Sequence, residues 1–295
     1  MRALLVHNPT AGSGQPDRDA LLSHLDRAGF SARYFSSKED DYKDALAEPD
    51  ADIVIVAGGD GTVGKIARGT FNRATPLAIL PLGTANNVAR SLGIEGELEA
   101  LVAGLADASI ERLDVACATG PWGSRNFLES VGWGALAKVV DVGVSDASKE
   151  SKEEKIARGR ELFAEILEAA TPRHVSLDAD GRRIEGDFVF VEILNLGMTG
   201  PRVMISPSAE AGDGLLDIVF LPAARKQEMI DWLRSAPDAT PIPLDEIKAK
   251  KVTLVWTDGP LRVDDEVFDA PELPSQVHVE IEPEGFRICI PRMER

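Results

Sequence analysis

The 295-residue chain carries 32 Lys and Arg against 49 Asp and Glu, a formal net charge of −17, with 44% hydrophobic and 27% charged residues. That length accommodates two domains with buried cores, and the acidic balance argues against non-specific binding to DNA or RNA, which needs a surplus of phosphate-neutralising cations. With two cysteines, no apolar run near the ~20 residues of a membrane span, and residues 1–6 too short for a signal peptide, a reducing cytoplasmic setting is expected. Along the chain, residues 3–7 read as a buried strand, followed by a loop over 8–15. Pro16 opens a predicted helix with Asp17 and Asp19 in its first turn, Leu21, Leu22 and Leu25 on its apolar face and Gly29 as its stop. A strand over 32–36 and a short helix over 41–47 follow. Then come a strand over 52–57, a loop over 58–62 and a helix to about Phe71. A further strand over 77–80, a loop over 81–84 and a helix ending near Gly93 complete this region. Apolar strands alternating with helices imply a parallel sheet covered on both faces, which binds ligands at the carboxyl ends of its strands.

From about Leu113 the pattern changes. Strand-like runs at 113–119, 175–180, 188–194, 216–221, 251–256, 261–263, 277–281 and 286–290 are punctuated by turn signals such as Asp180-Gly181, Asp258-Gly259-Pro260 and Glu284-Gly285. Two helices are predicted, within 151–170 and around 224–234. The expected fold class is an α/β amino-terminal domain, 1–114, plus a β-rich, sandwich-like domain, 115–295, with the extreme carboxyl terminus free to return to the first. The charge-dense segment 145–160 sets Lys149, Lys152, Lys155, Arg158 and Arg160 beside Glu150, Glu153 and Glu154. Such a run is either a solvated helix face laced with ion pairs or a basic patch that lets an acidic protein approach an anionic membrane surface.

Three strand-to-helix loops of the first domain are glycine-rich: Asn8-Pro9-Thr10-Ala11-Gly12-Ser13-Gly14, Gly58-Gly59-Asp60-Gly61-Thr62 and Pro81-Leu82-Gly83-Thr84-Ala85-Asn86. Each on its own reads as a tight turn. Together, on one sheet edge, they read as a phosphate cradle, since glycine lets backbone N–H groups approach a phosphate and a helix N-terminus adds positive charge. Thr62 and Thr84 are placed as helix N-caps or as hydroxyl donors to phosphate. Neither a Walker A pattern nor a GxGxxG fingerprint is present. Asp60 would repel a phosphate unless a divalent cation bridged the two; alternatively its carboxylate bonds local backbone and shapes the turn.

The Gly58-Gly59-Asp60-Gly61-Thr62 loop, followed about twenty residues on by Pro81-Leu82-Gly83-Thr84-Ala85-Asn86-Asn87-Val88-Ala89-Arg90, resembles the diacylglycerol kinase catalytic-domain family, which includes soluble bacterial lipid kinases and the sphingosine and ceramide kinases. Asn126-Phe127, Val131-Gly132-Trp133-Gly134, Asn195-Leu196-Gly197, Ile205-Ser206-Pro207-Ser208-Ala209, Gly212-Asp213-Gly214-Leu215-Leu216-Asp217 and Val263-Asp264-Asp265-Glu266 extend the resemblance in family order across the chain. It implies an NAD kinase/diacylglycerol kinase-like fold and an ATP- and Mg2+-dependent transfer of phosphate to a lipid hydroxyl, with ATP between the domains. By this resemblance Asn8, Thr10, Gly12, Gly58, Gly59, Gly61, Thr62, Gly83, Thr84 and Asn86 hold the nucleotide, and Asp60 acts through Mg2+. Asp264 accepts the hydroxyl proton and Glu266 belongs to the same acidic network. Asp213 matches a position that binds a structural Mg2+ in some relatives, with backbone carbonyls as co-ligands, and Asp114 matches an aspartate near the domain junction.

Departures from the family pattern are Gly64 and Lys65 where Asn and Glu are common, Asn87 for Asp, Asp265 for Gly and Ala11 for Ser. Lys65 either pairs with phosphate or marks a changed metal arrangement, and Asp265 puts a side chain into a turn that favours positive φ. Two alternatives accompany this reading. One is a kinase of a soluble substrate, as in the NAD kinases that share a GGDG loop; the other is a nucleotide-binding or regulatory module with weakened catalysis. The expected partners are ATP, a lipid with a free hydroxyl and peripherally the inner membrane face, with no nucleic acid; the sequence assigns no oligomeric state.

Overall fold

The computed structural model describes residues 1–12, 14–69, 73–143, 150–235, 242 and 244–293. Ser13, Phe71 and Lys149, which the sequence reading used, lie outside the described residues. The chain divides into two compact units, Met1–Asp114 with Pro283–Arg295, and Val115–Glu282.

In the first unit the elements run β1 (Arg2–His7), α1 (Arg18–Arg27), β2 (Ser31–Ser36), α2 (Asp41–Ala47), β3 (Ile53–Gly58), α3 (Asp60–Arg68), β4 (Leu77–Pro81), α4 (Asn87–Ser91), α5 (Leu98–Gly104) and β5 (Ser109–Leu113). Asp17 caps α1 by accepting the Ala20 N–H, and Gly29 follows the helix at φ +83, the left-handed position that glycine takes without strain. The sheet order is β2-β1-β3-β4, all parallel, continued by two strands whose pairing periodicity alone did not predict. One is β19 (Phe286–Ile290), which returns from the end of the chain to lie parallel to β4; the other is β5, antiparallel to β19. The run read as one strand over 113–119 is therefore split. Leu113 ends β5 in one unit and β6 (Ala116–Gly120) begins in the other.

The second unit continues with β7 (Gly123–Phe127), β8 (Ser130–Gly134), α6 (Ala135–Val142), α7 (Lys152–Ala169), β9 (Arg173–Ala179), β10 (Arg182–Leu194), β11 (Met198–Thr199), β12 (Val203–Met204) and β13 (Leu216–Pro222). It closes with α8 (Lys226–Ser235), β14 (Asp245–Ala249), β15 (Lys251–Trp256), β16 (Leu261–Val263), β17 (Glu266–Phe268) and β18 (Ser275–Ile281). Asp180 and Gly181, at φ +51 and +83, make the two-residue turn between β9 and β10, as an Asp-Gly pair between paired strands should. The strand β10 pairs with β9 up to Phe188, and beyond a register shift it runs between β8 and β13. Alternate residues of β10 and β13 serve two cores. Val191, Ile193, Ile218 and Phe220 join the cluster lined by the sheet, while Phe190, Leu194, Val219 and Leu221 meet Phe163, Leu167, Met229 and Leu233 of α7 and α8. Burial on both faces explains why these strands are apolar at nearly every position of 188–194 and 216–221, with Glu192 and Asp217 the exceptions. Ser151 and Glu154 form a reciprocal capping box at the start of α7, Arg158 pairs with Glu150 at 2.6 Å, and buried Arg160 lies over the Trp232 ring at 4.5 Å. The charge-dense segment is thus tied internally at these positions.

Candidate functional site

The glycine loops leave the carboxyl ends of β1, β3 and β4, where the order β2-β1-β3-β4 reverses direction between β1 and β3. Crossovers diverge at such a point and leave room for a ligand. Asn8, directly after β1, donates its backbone N–H to the Ala57 carbonyl at 2.8 Å and its side-chain N–H to Thr62 Oγ1 at 3.0 Å, bridging the reversal. The other end of the Asn8 amide accepts from the backbone and hydroxyl of Thr10, at 3.2 and 3.0 Å. Thr10 and Gly12 are exposed, Gly12 at φ +59.

The second and third loops touch. A Cβ on Gly83 would lie 2.5 Å from the Gly59 Cα and 2.8 Å from Asn86 Oδ1, and one on Gly58 would lie 2.7 Å from the Thr62 Cβ. Glycine is required here first for loop-to-loop contact. Asp60 completes the junction: its Oδ1 accepts the Val88 N–H at 3.0 Å, across 28 residues, in addition to its own backbone N–H. Burial pushes the Asp60 carboxyl above the ordinary carboxylate value, and the backbone N–H groups of Val88, Asn87, Asp60 itself and Asn86 offset only part of that rise. Asn86 sits at φ +54 and donates its side-chain N–H to the carbonyls of Gly83 at 3.0 Å and Pro81 at 3.3 Å. Its buried Oδ1 finds no hydrogen-bond partner among the described residues. The residue before α3 is Gly59 and that before α4 is Asn86, so Thr62 and Thr84 are not N-caps; Thr62 lies buried inside α3 and Thr84 is half-buried before α4. Gly61 is exposed in the first turn of α3. Lys65 donates to the Ser37 carbonyl at 3.3 Å and lies 5.5 Å from the Tyr42 ring centre.

Asp264 occupies the tight turn between β16 and β17 in the second unit. Its carboxylate is buried and accepts three successive backbone N–H groups: Leu128 at 3.1 Å on Oδ2, and Glu129 at 2.9 Å and Ser130 at 3.3 Å on Oδ1. From behind, Asn195 Nδ2 donates to the Leu128 carbonyl at 2.9 Å and the Asn195 N–H to the Glu129 carbonyl at 2.9 Å. Residues 128–130, between the motifs at 126–127 and 131–134, thus join Asn195 of the 195–197 motif to Asp264 of the 263–266 motif. The positive φ of the turn, +50, falls on Asp264 and not on Asp265, so the exchange of glycine for Asp265 imposes no left-handed strain there. Glu266 pairs with Arg125 Nε at 3.2 Å. Asp114, buried in the first unit, accepts from Arg112 Nε at 2.6 Å.

Sequence reasoning overlooked the group that supports this turn. Arg262 is 2% exposed; its Nη1 donates to the Asp264 carbonyl at 2.9 Å, and Nη2 reaches Ser130 Oγ at 2.7 Å, Thr199 Oγ1 at 2.7 Å and Glu192 Oε2 at 2.8 Å. Arg262 and Glu192 flank Gly132 on adjacent strands, and a Cβ on Gly132 would stand 2.0 Å from Glu192 Oε1. The missing side chain is what lets the two charges meet. The signal was legible: single opposite charges inside two apolar strand runs, which are tolerated in a core only when paired.

Asp213 is engaged by protein. Its Oδ1 accepts the Leu215 N–H at 2.9 Å and its Oδ2 lies 3.0 Å from Lys248 Nζ. Among the described residues no group of three or more His, Cys, Asp or Glu side chains is placed to hold a metal ion. A structural Mg2+ at Asp213, expected from the resemblance, does not fit an oxygen already paired with an ammonium.

The profile of the diacylglycerol kinase catalytic domain matches residues 2–118, and that of the YegS C-terminal NAD kinase beta sandwich-like domain matches residues 139–290. The chain is 27% identical over 244 residues to the diacylglycerol kinase of Bacillus subtilis, covering 78% of this chain and 76% of that one. It is 31% identical over 241 residues to a protein of Pseudomonas savastanoi pv. phaseolicola named probable lipid kinase YegS-like, covering 77% and 75%. The crystal structure of a diacylglycerol kinase from Bacillus anthracis shares the fold, with a TM-score of 0.71 at 22% identity over 99% of this chain and 97% of that one. With both halves matched in order, the chain belongs to the diacylglycerol kinase and YegS-like lipid kinase family.

Proposed function

We propose that the protein transfers the γ-phosphate of ATP to the free hydroxyl of diacylglycerol or a related lipid. The observation that carries this reading is the junction of the glycine loops at the carboxyl ends of β1, β3 and β4, tied by the Asn8–Thr62 and Asp60–Val88 bonds. That is where a parallel sheet of this order receives a nucleotide. Asn8, Thr10, Gly12, Gly58, Gly59, Gly61, Thr62, Gly83, Thr84 and Asn86 are the residues proposed to line it. Mg2+ carried with the triphosphate would neutralise its charge, and the oxygen-only set of the Asp60 carboxylate and the unsatisfied Asn86 Oδ1 suits such a hard cation.

In the proposed reaction the lipid hydroxyl oxygen bonds to the γ-phosphorus as the bond to the β,γ-bridging oxygen breaks, the hydroxyl proton passes to Asp264, and ADP leaves. The three backbone N–H groups orient the Asp264 carboxylate, and Arg262 holds the backbone carbonyl of the same residue. Because the phosphoryl-transfer transition state is loose, a well-placed base matters more than a strong one. Glu266, paired with Arg125, would contribute to the charge around that turn. A lipid acceptor calls for peripheral contact with a bilayer; none of the described helices is long and apolar enough to cross one. Incubating the protein with γ-labelled ATP and Mg2+, against total membrane lipid and against NAD, tests the proposal. Label is expected in a lipid hydroxyl ester; label in NAD, or in no acceptor, contradicts it.

A further inference from the structure

We propose that Lys248 is a built-in cation that does the structural work of a bound divalent ion, so the second unit holds the loop between β12 and β13 without metal. The position lies at the centre of a small acidic group. Lys248, on β14, stands directly opposite Asp217 on β13, and its Nζ approaches Asp213 Oδ2 at 3.0 Å, Asp217 Oδ1 at 3.5 Å and the Ser208 carbonyl at 3.0 Å. Of its three N–H donors the ammonium gives one to Asp213 Oδ2 and one to the Ser208 carbonyl, and the Asp217 carboxylate faces it at ion-pair distance. Glu246, two residues earlier on β14, accepts from Ser206 Oγ at 2.8 Å and from Ser208 Oγ. The loop carrying Ser206, Ser208 and Asp213 is thereby stitched to β14 by side chains on one face of that strand.

The chemistry distinguishes the ammonium from a metal. Mg2+ needs about six oxygens at ~2.1 Å in octahedral array, and Ca2+ needs six to eight at ~2.4 Å. The oxygens around Lys248 Nζ stand at 3.0 to 3.5 Å, hydrogen-bond and ion-pair distances. Removing the ammonium leaves the Asp213 and Asp217 carboxylates and the Ser208 carbonyl converging without a cation. An oxygen-only set of this kind is one that a hard divalent ion takes.

The test uses the full chain without nucleotide, so its outcome is independent of phosphoryl transfer. Thermal melting of wild type, Lys248→Met and Lys248→Met/Asp217→Asn is recorded in EDTA and in millimolar MgCl2 or CaCl2, with terbium luminescence as a direct probe of ion binding. Wild type is expected to melt at the same temperature in EDTA and in either salt. Lys248→Met should melt several degrees lower in EDTA, recover with Ca2+ or Mg2+ and gain terbium binding, whereas the double variant should show no recovery. A wild-type melting temperature that falls on chelation and returns with Mg2+ overturns the proposal without any variant. So does a Lys248→Met protein that melts like wild type in EDTA, or one that melts lower and neither recovers with salt nor binds terbium.

Discussion

Asp60 in the first unit and Asp264 in the second solve the same local problem with different materials. Each carboxylate accepts backbone N–H groups from a distant segment: Val88, 28 residues from Asp60, and Leu128 to Ser130, some 134 to 136 residues from Asp264. Around Asp60 the supporting groups are neutral, namely two glycines in van der Waals contact and an asparagine in the left-handed region. Around Asp264 the support is a buried ion pair, Arg262 with Glu192, threaded past a glycine. A carboxylate held by glycine packing can adjust to a ligand that brings its own charge. One on a turn braced by a buried arginine is fixed before any ligand arrives, as the proposed proton acceptor should be.

If that contrast is sound, breaking the charged brace has the largest effect on stability. Arg262→Met strands Glu192, whose carboxyl burial already pushes upward, and should cost about 3–5 kcal/mol in urea or thermal unfolding. Arg262→Met/Glu192→Met should recover much of the loss, because an apolar pair carries no stranded charge. On the neutral side, Gly83→Ala forces a Cβ to 2.5 Å from the Gly59 Cα, and a stability loss of about 1–3 kcal/mol is expected together with weaker ATP binding by calorimetry. Thr62→Val removes the acceptor for Asn8 Nδ2 at nearly constant volume and should cost about 1 kcal/mol, with a raised KM for ATP.

The smallest effect is a pH dependence whose sign follows from Asp60. Because burial raises its carboxyl in the folded protein, the native state keeps the proton to higher pH than the unfolded chain does. Its contribution is therefore full below the unfolded value, near 3.8, and is lost as pH rises through the folded value. Asp60→Asn, whose amide oxygen can still accept the Val88 N–H, should flatten that decline in urea midpoints measured from acid to neutral pH. An unchanged slope would mean that Asp60 is solvated like a surface carboxylate.

The first sheet was legible in its local elements. Residues 41–47 and 286–290 coincide with α2 and β19, because a strong apolar period marks a short element well. Partner choice was less legible: nothing in the pattern of 286–290 says that it lies parallel to β4 rather than among the strands before it. The helix α6 went unread, since Ala135–Val142 mixes strand-favouring valines with helix formers and its helicity rests on packing against α7, β8 and β10. Among the candidate site residues, the family resemblance pointed to Asp60, Asn8 and Asp264 but not to what holds them. Arg262, Glu192 and Lys248 act through cross-strand neighbours, and register is a property of the folded sheet that one strand's sequence does not state.

The central claim, that Asp264 takes the acceptor proton, is tested most directly by single-turnover phosphoryl transfer with Asp264→Asn, alongside its ATP affinity and melting curve. The account predicts a folded protein that binds ATP as wild type does and transfers phosphate ~10²–10⁴-fold more slowly. Transfer at a near wild-type rate would contradict it and remove Asp264 from the proton-accepting role.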